Sequence, residues 1–87
     1  MSIKATKQKL PKWFDGELYK EGDIVSNPYS GEEIKLNNIE LSIYDFLMGA
    51  QLTFSMGYNN EKIIKDFQKG LDWFKKNNVK AYMVLLD

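Results

Sequence analysis

The chain has 87 residues, 44% of them hydrophobic and 14% aromatic, with twelve lysines balanced by twelve acids and no Arg, His or Cys. That is enough material for one small packed domain and too apolar for a disordered chain. It excludes a disulfide framework, a thiolate or imidazole metal site and any His-containing triad, and no apolar run reaches the ~18 residues of a membrane-spanning helix. Residues 1–12 have no apolar core, so they do not read as a secretory signal. The expected setting is cytoplasmic, with no cofactor implied.

Charge is unevenly spread along this neutral chain. Residues 1–12 carry four lysines and no acid; residues 13–61 carry two lysines and nine acids; residues 62–87 carry six lysines and three acids. An acidic middle therefore lies between two basic ends, a layout suited to docking on a charged partner or on another copy. An ordinary solvated surface with a basic tail is the simpler explanation, because salt screens exposed charge.

Residues 1–10 are polar, lysine-rich and aperiodic, and read as a flexible basic tail ahead of a single small domain over residues 11–87. Trp13 and Phe14, next to Pro11, read as aromatic anchors that pin the incoming chain to the core.

Residues 17–36 read as a β-hairpin. Leu18, Tyr19, Ile24 and Val25 form a first extended stretch, broken near Gly22. Glu33–Leu36 alternates cleanly, with Ile34 and Leu36 on one face. Asn27-Pro28 favours turn entry, and Gly31 can adopt the positive φ that closes a longer loop.

Residues 39–57 predict a helix, capped by Asn38 or Ser42. At 100° per residue, Ile39, Ile43, Phe46, Leu47, Ala50 and Phe54 share one face. Leu41, Tyr44, Met48, Leu52 and Met56 share the opposite face. A helix apolar nearly all round must be covered on two sides. Either the hairpin and the next helix cover both, or Tyr44, Met48, Leu52 and Met56 form an interface stripe, with Gly49-Ala50 admitting a second backbone.

Gly57 to Asn60 stops this helix and caps the next. Residues 61–77 predict a cleaner amphipathic helix, with Ile63, Ile64, Phe67, Gly70, Leu71 and Phe74 on one face. Lys62–Asp66, Asp72–Lys76 and Glu61–Lys65 stand at i,i+4 spacing. Trp73 borders the apolar face and joins the candidate interface. Val79, Tyr82, Met83 and Leu86 fit a short third helix better than a strand. The architecture is α+β, an N-terminal β-hairpin packed on two or three α-helices.

Catalysis would have to use carboxylates, Lys, Tyr, Ser or Thr. Asp15 and Glu17 around Gly16, and Glu32-Glu33 after Gly31, read as solvated acidic turns that help select a partner rather than as acid–base pairs. No Ca²⁺-loop or phosphate-loop pattern occurs. Asp45, on a mostly apolar helix, predicts a fold-fixing contact with a hairpin amide or a lysine, and Gln51 invites the same reading. Nucleic acid is a disfavoured partner, because the net charge is zero, the pI is about 6.2 and Arg is absent.

Four segments, 12–17 (KWFDGE), 21–32 (EGDIVSNPYSGE), 44–51 (YDFLMGAQ) and 81–87 (AYMVLLD), resemble small uncharacterised proteins of marine bacteriophages and some marine bacteria. The resemblance spans nearly the whole chain after the tail. It implies a phage or phage-derived setting, which suits a Lys-, Asn- and Ile-rich composition encoded by A/T-rich codons. It implies no activity and no site residue. The expected function is that of a non-enzymatic protein-interaction module that self-associates as a dimer and docks on a host or phage protein. The alternatives are a structural or virion-assembly subunit and a nucleic-acid accessory protein using the lysine-rich tail and second helix.

Overall fold

The structure, a computed structural model, describes residues 8–87. Two short antiparallel strands, β1 (Asp23–Ser26) and β2 (Glu33–Leu36), are followed by α1 (Asn38–Ser55), α2 (Glu61–Asn77) and α3 (Val79–Ala81), which runs directly into a π-helical turn at Tyr82–Leu86. This is the expected α+β arrangement of a hairpin on helices.

The strands pair from Asp23 opposite Leu36 to Ser26 opposite Glu33. Asn27 organises the loop between them. Its Oδ1 accepts from the Tyr29 and Ser30 amides at 2.7 and 3.3 Å, and its carbonyl accepts from the Gly31 amide at 2.8 Å. Gly31 takes φ = 78°, as the loop reading requires. The Asn27 side-chain amide donates to the Val84 carbonyl at 2.8 Å. That carbonyl lies in the last turn of the chain, where helical carbonyls have no partner further along. One asparagine thus closes the hairpin loop and ties it to the end of the chain.

The first strand is shorter than expected. Leu18 is exposed and Tyr19 lies outside it, because the backbone of residue 19 bonds α1 instead of a strand. The Tyr19 amide donates to Ser42 Oγ at 2.9 Å, and its carbonyl accepts from Asn38 Nδ2 at 3.3 Å. Gly22 then passes directly against the backbone of Leu36 and Asn37, and a Cβ there would clash with both.

The cap of α1 is Asn37, one residue before the expected Asn38 and well before Ser42. Asn37 Oδ1 accepts from the Glu40 amide at 2.8 Å, and Glu40 Oε1 accepts from the Asn37 amide at 2.9 Å, a reciprocal capping box. Ser42 is buried one turn inside the helix, donating to the Asn38 carbonyl at 2.7 Å.

Glu40 does more than cap. It is only 4% exposed. Its Oε2 accepts from Gln8 Nε2 at 2.8 Å and from Asn78 Nδ2 at 2.9 Å. Gln8 Oε1 accepts from Asn37 Nδ2, and Asn78 Oδ1 caps α3 by accepting from the Ala81 amide. Gln8 is therefore bound to the domain, so the tail expected over residues 1–10 does not extend that far; residues 1–7 lie outside the described residues.

The helices α1 and α2 pack antiparallel, with Phe54 edge-on to Phe67 at 5.5 Å and a Leu47 methyl seated over Gly70. A Cβ on Gly70 would come within 2.7 Å of that methyl, so the helices approach closely where the side chain is missing. Phe14, Leu36, Ile43, Leu47, Phe74 and Ala81 form the buried core, one or more from every layer. Residues 79–86 are helical, as expected, but the last turn widens, with the Asp87 amide donating to the Tyr82 carbonyl at 2.8 Å.

Replacing Glu40 with Ala strands three N–H donors and should cost about 2–3 kcal/mol in urea unfolding, while surface Glu33→Ala stays near parent. Gly22→Ala should lower the thermal midpoint by at least as much as Gly31→Ala, because its strain is steric contact with a fixed backbone.

Candidate docking surface

A stripe along α1 is left uncovered by the other described residues. Its covered side is Ile43, Leu47 and Ala50, all buried. Turning round the helix, Tyr44 and Met48 are half-buried and pack on the edge of the core. Leu52 and Met56 are 62% and 63% exposed. Asp45 and Gly49 are exposed on the same stripe at i, i+4, i+7 and i+11 spacing with Leu52 and Met56. A Cβ on Gly49 would meet nothing within 4 Å. The open small residue is Gly49; Ala50, expected to share that role, faces the core.

Tyr44 and Met48 also form the floor of a groove of about 370 Å³, walled by Asn27, Pro28 and Tyr29 of the hairpin loop and by Leu85, Leu86 and Asp87 of the last turn, with Gln51 at the α1 side. Tyr29 stands 97% exposed at its rim. Gln51 faces solvent rather than fixing the fold. Burial of Tyr44 raises its phenol above the ordinary 10.0.

The remaining predicted residues are not gathered here. Trp73 lies on α2, lining a separate cleft with Trp13. Glu32 and Glu33 are exposed on the hairpin, and Glu17 on the loop before it. Asp15 reaches across to α2, where Lys62 Nζ lies 3.4 Å from its Oδ2 and 2.7 Å from Asp66 Oδ2. Asp66 is itself buried, a pairing the i,i+4 spacing anticipated, as it did Glu61–Lys65 at 3.4 Å. The Asp72–Lys76 pair is absent from the ion pairs within 4.0 Å among the described residues.

Asp45 makes a polar contact with the segment ahead of β1, but with a different partner from those expected. It is exposed, and it accepts a 2.8 Å hydrogen bond from the Tyr19 hydroxyl, not from a hairpin amide or a lysine. Leu41 and Met48, one turn either side, turn toward the core and leave Asp45 on the wet side. This contact raises the Tyr19 phenol above 10.0, with burial and the nearby Glu17 charge adding to it.

Neither this groove nor the Trp13–Trp73 cleft is lined by Asp15, Glu17 or Asp45. No group of three or more potential metal ligands occurs among the described residues, and no described helix is long and apolar enough to cross a membrane. In comparisons with known proteins, no family model, curated protein or solved structure matches the chain.

The tertiary structure sets an alkaline limit on stability. Tyr19, Tyr44 and Lys62 all have raised pKa values in the folded protein, Lys62 chiefly through its hydrogen bond to Asp66 and then the charge of Asp15. The protonated form of each is favoured by folding, so the stabilisation is complete below the unfolded values of 10.0 and 10.5 and is lost as pH rises through the folded ones. The thermal midpoint should therefore fall above pH 10, and Tyr19→Phe should remove a late component from the tyrosinate absorbance titration. Loss of amplitude in the ordinary phenol range, with the late component undiminished, would contradict the assigned hydrogen bond.

Proposed function

We propose that the chain is a small non-enzymatic protein-interaction module that docks through the uncovered stripe of α1, with a second copy of itself as the first partner. The observation that carries this reading is the exposure of Leu52 and Met56 on a helix whose opposite face is buried in the core. Leu52 and Met56, large apolar side chains one turn apart, are removed from water when two such helices pair, and methionine adapts to an irregular facing surface. Gly49 supports the same geometry, because its bare backbone lets a facing helix come close.

A two-fold pairing places the same stripe on both sides of the interface. The groove beside it, with Tyr29 at the rim, then remains available to a host or phage protein in the phage-derived setting that the sequence resemblance implies. Exposed Glu32 and Glu33 beside that rim would favour a basic partner surface.

Leu52→Lys and Met56→Lys are cleaner tests than Met48→Lys, because Met48 also packs on the core. Light scattering after size exclusion should give a dimer mass for the parent and a monomer mass for Leu52→Lys/Met56→Lys, with thermal unfolding of the separated monomer still cooperative. A parent that stays monomeric at the highest concentration tested, or a double variant that stays dimeric, overturns the reading.

A further inference from the structure

Five residues of α2, Lys69, Asp72, Trp73, Lys76 and Asn77, fall at i, i+3, i+4, i+7 and i+8 and therefore share one helical face. Trp13 crosses this face from the N-terminal segment, its ring lying over Gly70, where a Cβ would stand 3.5 Å from the indole. Together they line an open cleft of about 260 Å³. Both tryptophans of the chain line it.

The indoles are held in place from behind. Trp73 is edge-on to the fully buried Phe74 at 5.2 Å, and Trp13 packs on Phe14 and Phe46 at 6.1 and 6.0 Å. Asn77 donates its side-chain amide to the Trp73 carbonyl at 2.9 Å, locking the last turn. Both rings are nevertheless only half-buried.

The charges at the cleft are also distinctive. Lys62 and Lys65, earlier in α2, are paired with carboxylates. Among the described residues, Lys69 and Lys76 have no carboxylate within 4.0 Å, although Asp72 lies between them in sequence. Lys12, next to Trp13, is exposed as well. Two half-open indole rings beside two unneutralised ammonium groups are the components that hold a base by stacking and a phosphate by charge.

We propose that the Trp13–Trp73 cleft binds the base and phosphate of a nucleotide, free or within a single strand. Its volume lies just below the ~300–1,000 Å³ of ordinary small-molecule sites, which suits one base rather than a larger ligand. Asp72 provides an acceptor for an amino group on the base edge. Lysine acts as a point charge without the planar fork that reads guanine, so binding by this site is sequence-tolerant. The neutral net charge does not oppose this, because the acids are concentrated in residues 13–61 and the cleft face belongs largely to the basic last third. The site uses none of the α1 stripe and stands or falls independently of self-association.

Intrinsic tryptophan fluorescence reads the cleft directly. The full chain would be titrated with AMP, with inorganic phosphate, and with oligoadenylate of about ten nucleotides, a length that spans a single-strand site. AMP or the oligonucleotide should quench the emission. Lys69→Gln/Lys76→Gln should weaken binding at least tenfold with the thermal midpoint unchanged. For the oligonucleotide, the slope of log affinity against log salt should drop by roughly 1.4 in that variant, about 0.7 for each phosphate that a lysine no longer neutralises. Tighter binding of the oligonucleotide identifies a single strand as the source, and equal binding identifies a free nucleotide. Absence of quenching by both, an unchanged affinity in the double variant, or equal competition by inorganic phosphate overturns the proposal.

Discussion

The buried carboxylate of Glu40 is the contact on which the rest of the architecture depends. It accepts hydrogen bonds from three segments: Gln8 ahead of the hairpin, Asn37 at the start of α1, and Asn78 between α2 and α3. A carboxylate taken out of water is tolerated only when donors replace its hydration. Here every donor is a neutral amide, and Asn37 and Asn78 each stand at the boundary of an element. The same residues cap two helices, because Asn37 caps α1 and Asn78 caps α3. Chain direction at three places is thereby set by one side chain. No buried side-chain nitrogen or oxygen among the described residues lacks a partner, which is what a network of this kind must achieve to be stabilising.

The packing of α1 follows from that anchor. Its first turn is held by Glu40 and by the Tyr19–Ser42 contact, so the helix cannot rotate to bury its second apolar face. Gly70 draws α2 against Leu47, and the hairpin covers Leu36 and the first turns. The two strands are four residues each and end before the C-terminal half of α1. Leu52 and Met56 are left in water because no element among the described residues covers them. The apolar residues that the hydrophobic effect would bury are thus the ones available to a second chain.

Two surfaces with different chemistry result. The α1 stripe exposes Leu52 and Met56, and its neighbouring groove mixes polar and apolar side chains, with acids nearby on the hairpin. The Trp13–Trp73 cleft is aromatic and lysine-rich, on the face of α2. Their separation reflects the charge segregation along the chain, carried into three dimensions by an antiparallel helix pair. The two surfaces share no residue, so the proposed self-association and the proposed cleft binding do not compete for side chains.

The hairpin, the two long helices and the helical end of the chain were legible from periodicity, turn residues and caps, because these signals act within a few residues. The bounds of α2 agree with the sequence reading to the residue, since Asn60 and Asn78 flank a strongly amphipathic run. The true cap of α1 was also written locally, in the Asn37-x-x-Glu40 spacing, although Asn38 and Ser42 were the more conspicuous candidates. What sequence alone could not decide was which of two equally apolar faces of α1 meets the core, why residues 18 and 19 leave the strand, or that Trp13 and Trp73 share a cleft. Each of these depends on contacts between residues far apart in the chain, such as Tyr19 with Ser42 and Gln8 with Glu40. Local propensity determined which elements form; long-range hydrogen bonds and the close approach at Gly70 determined which of their faces remain for function.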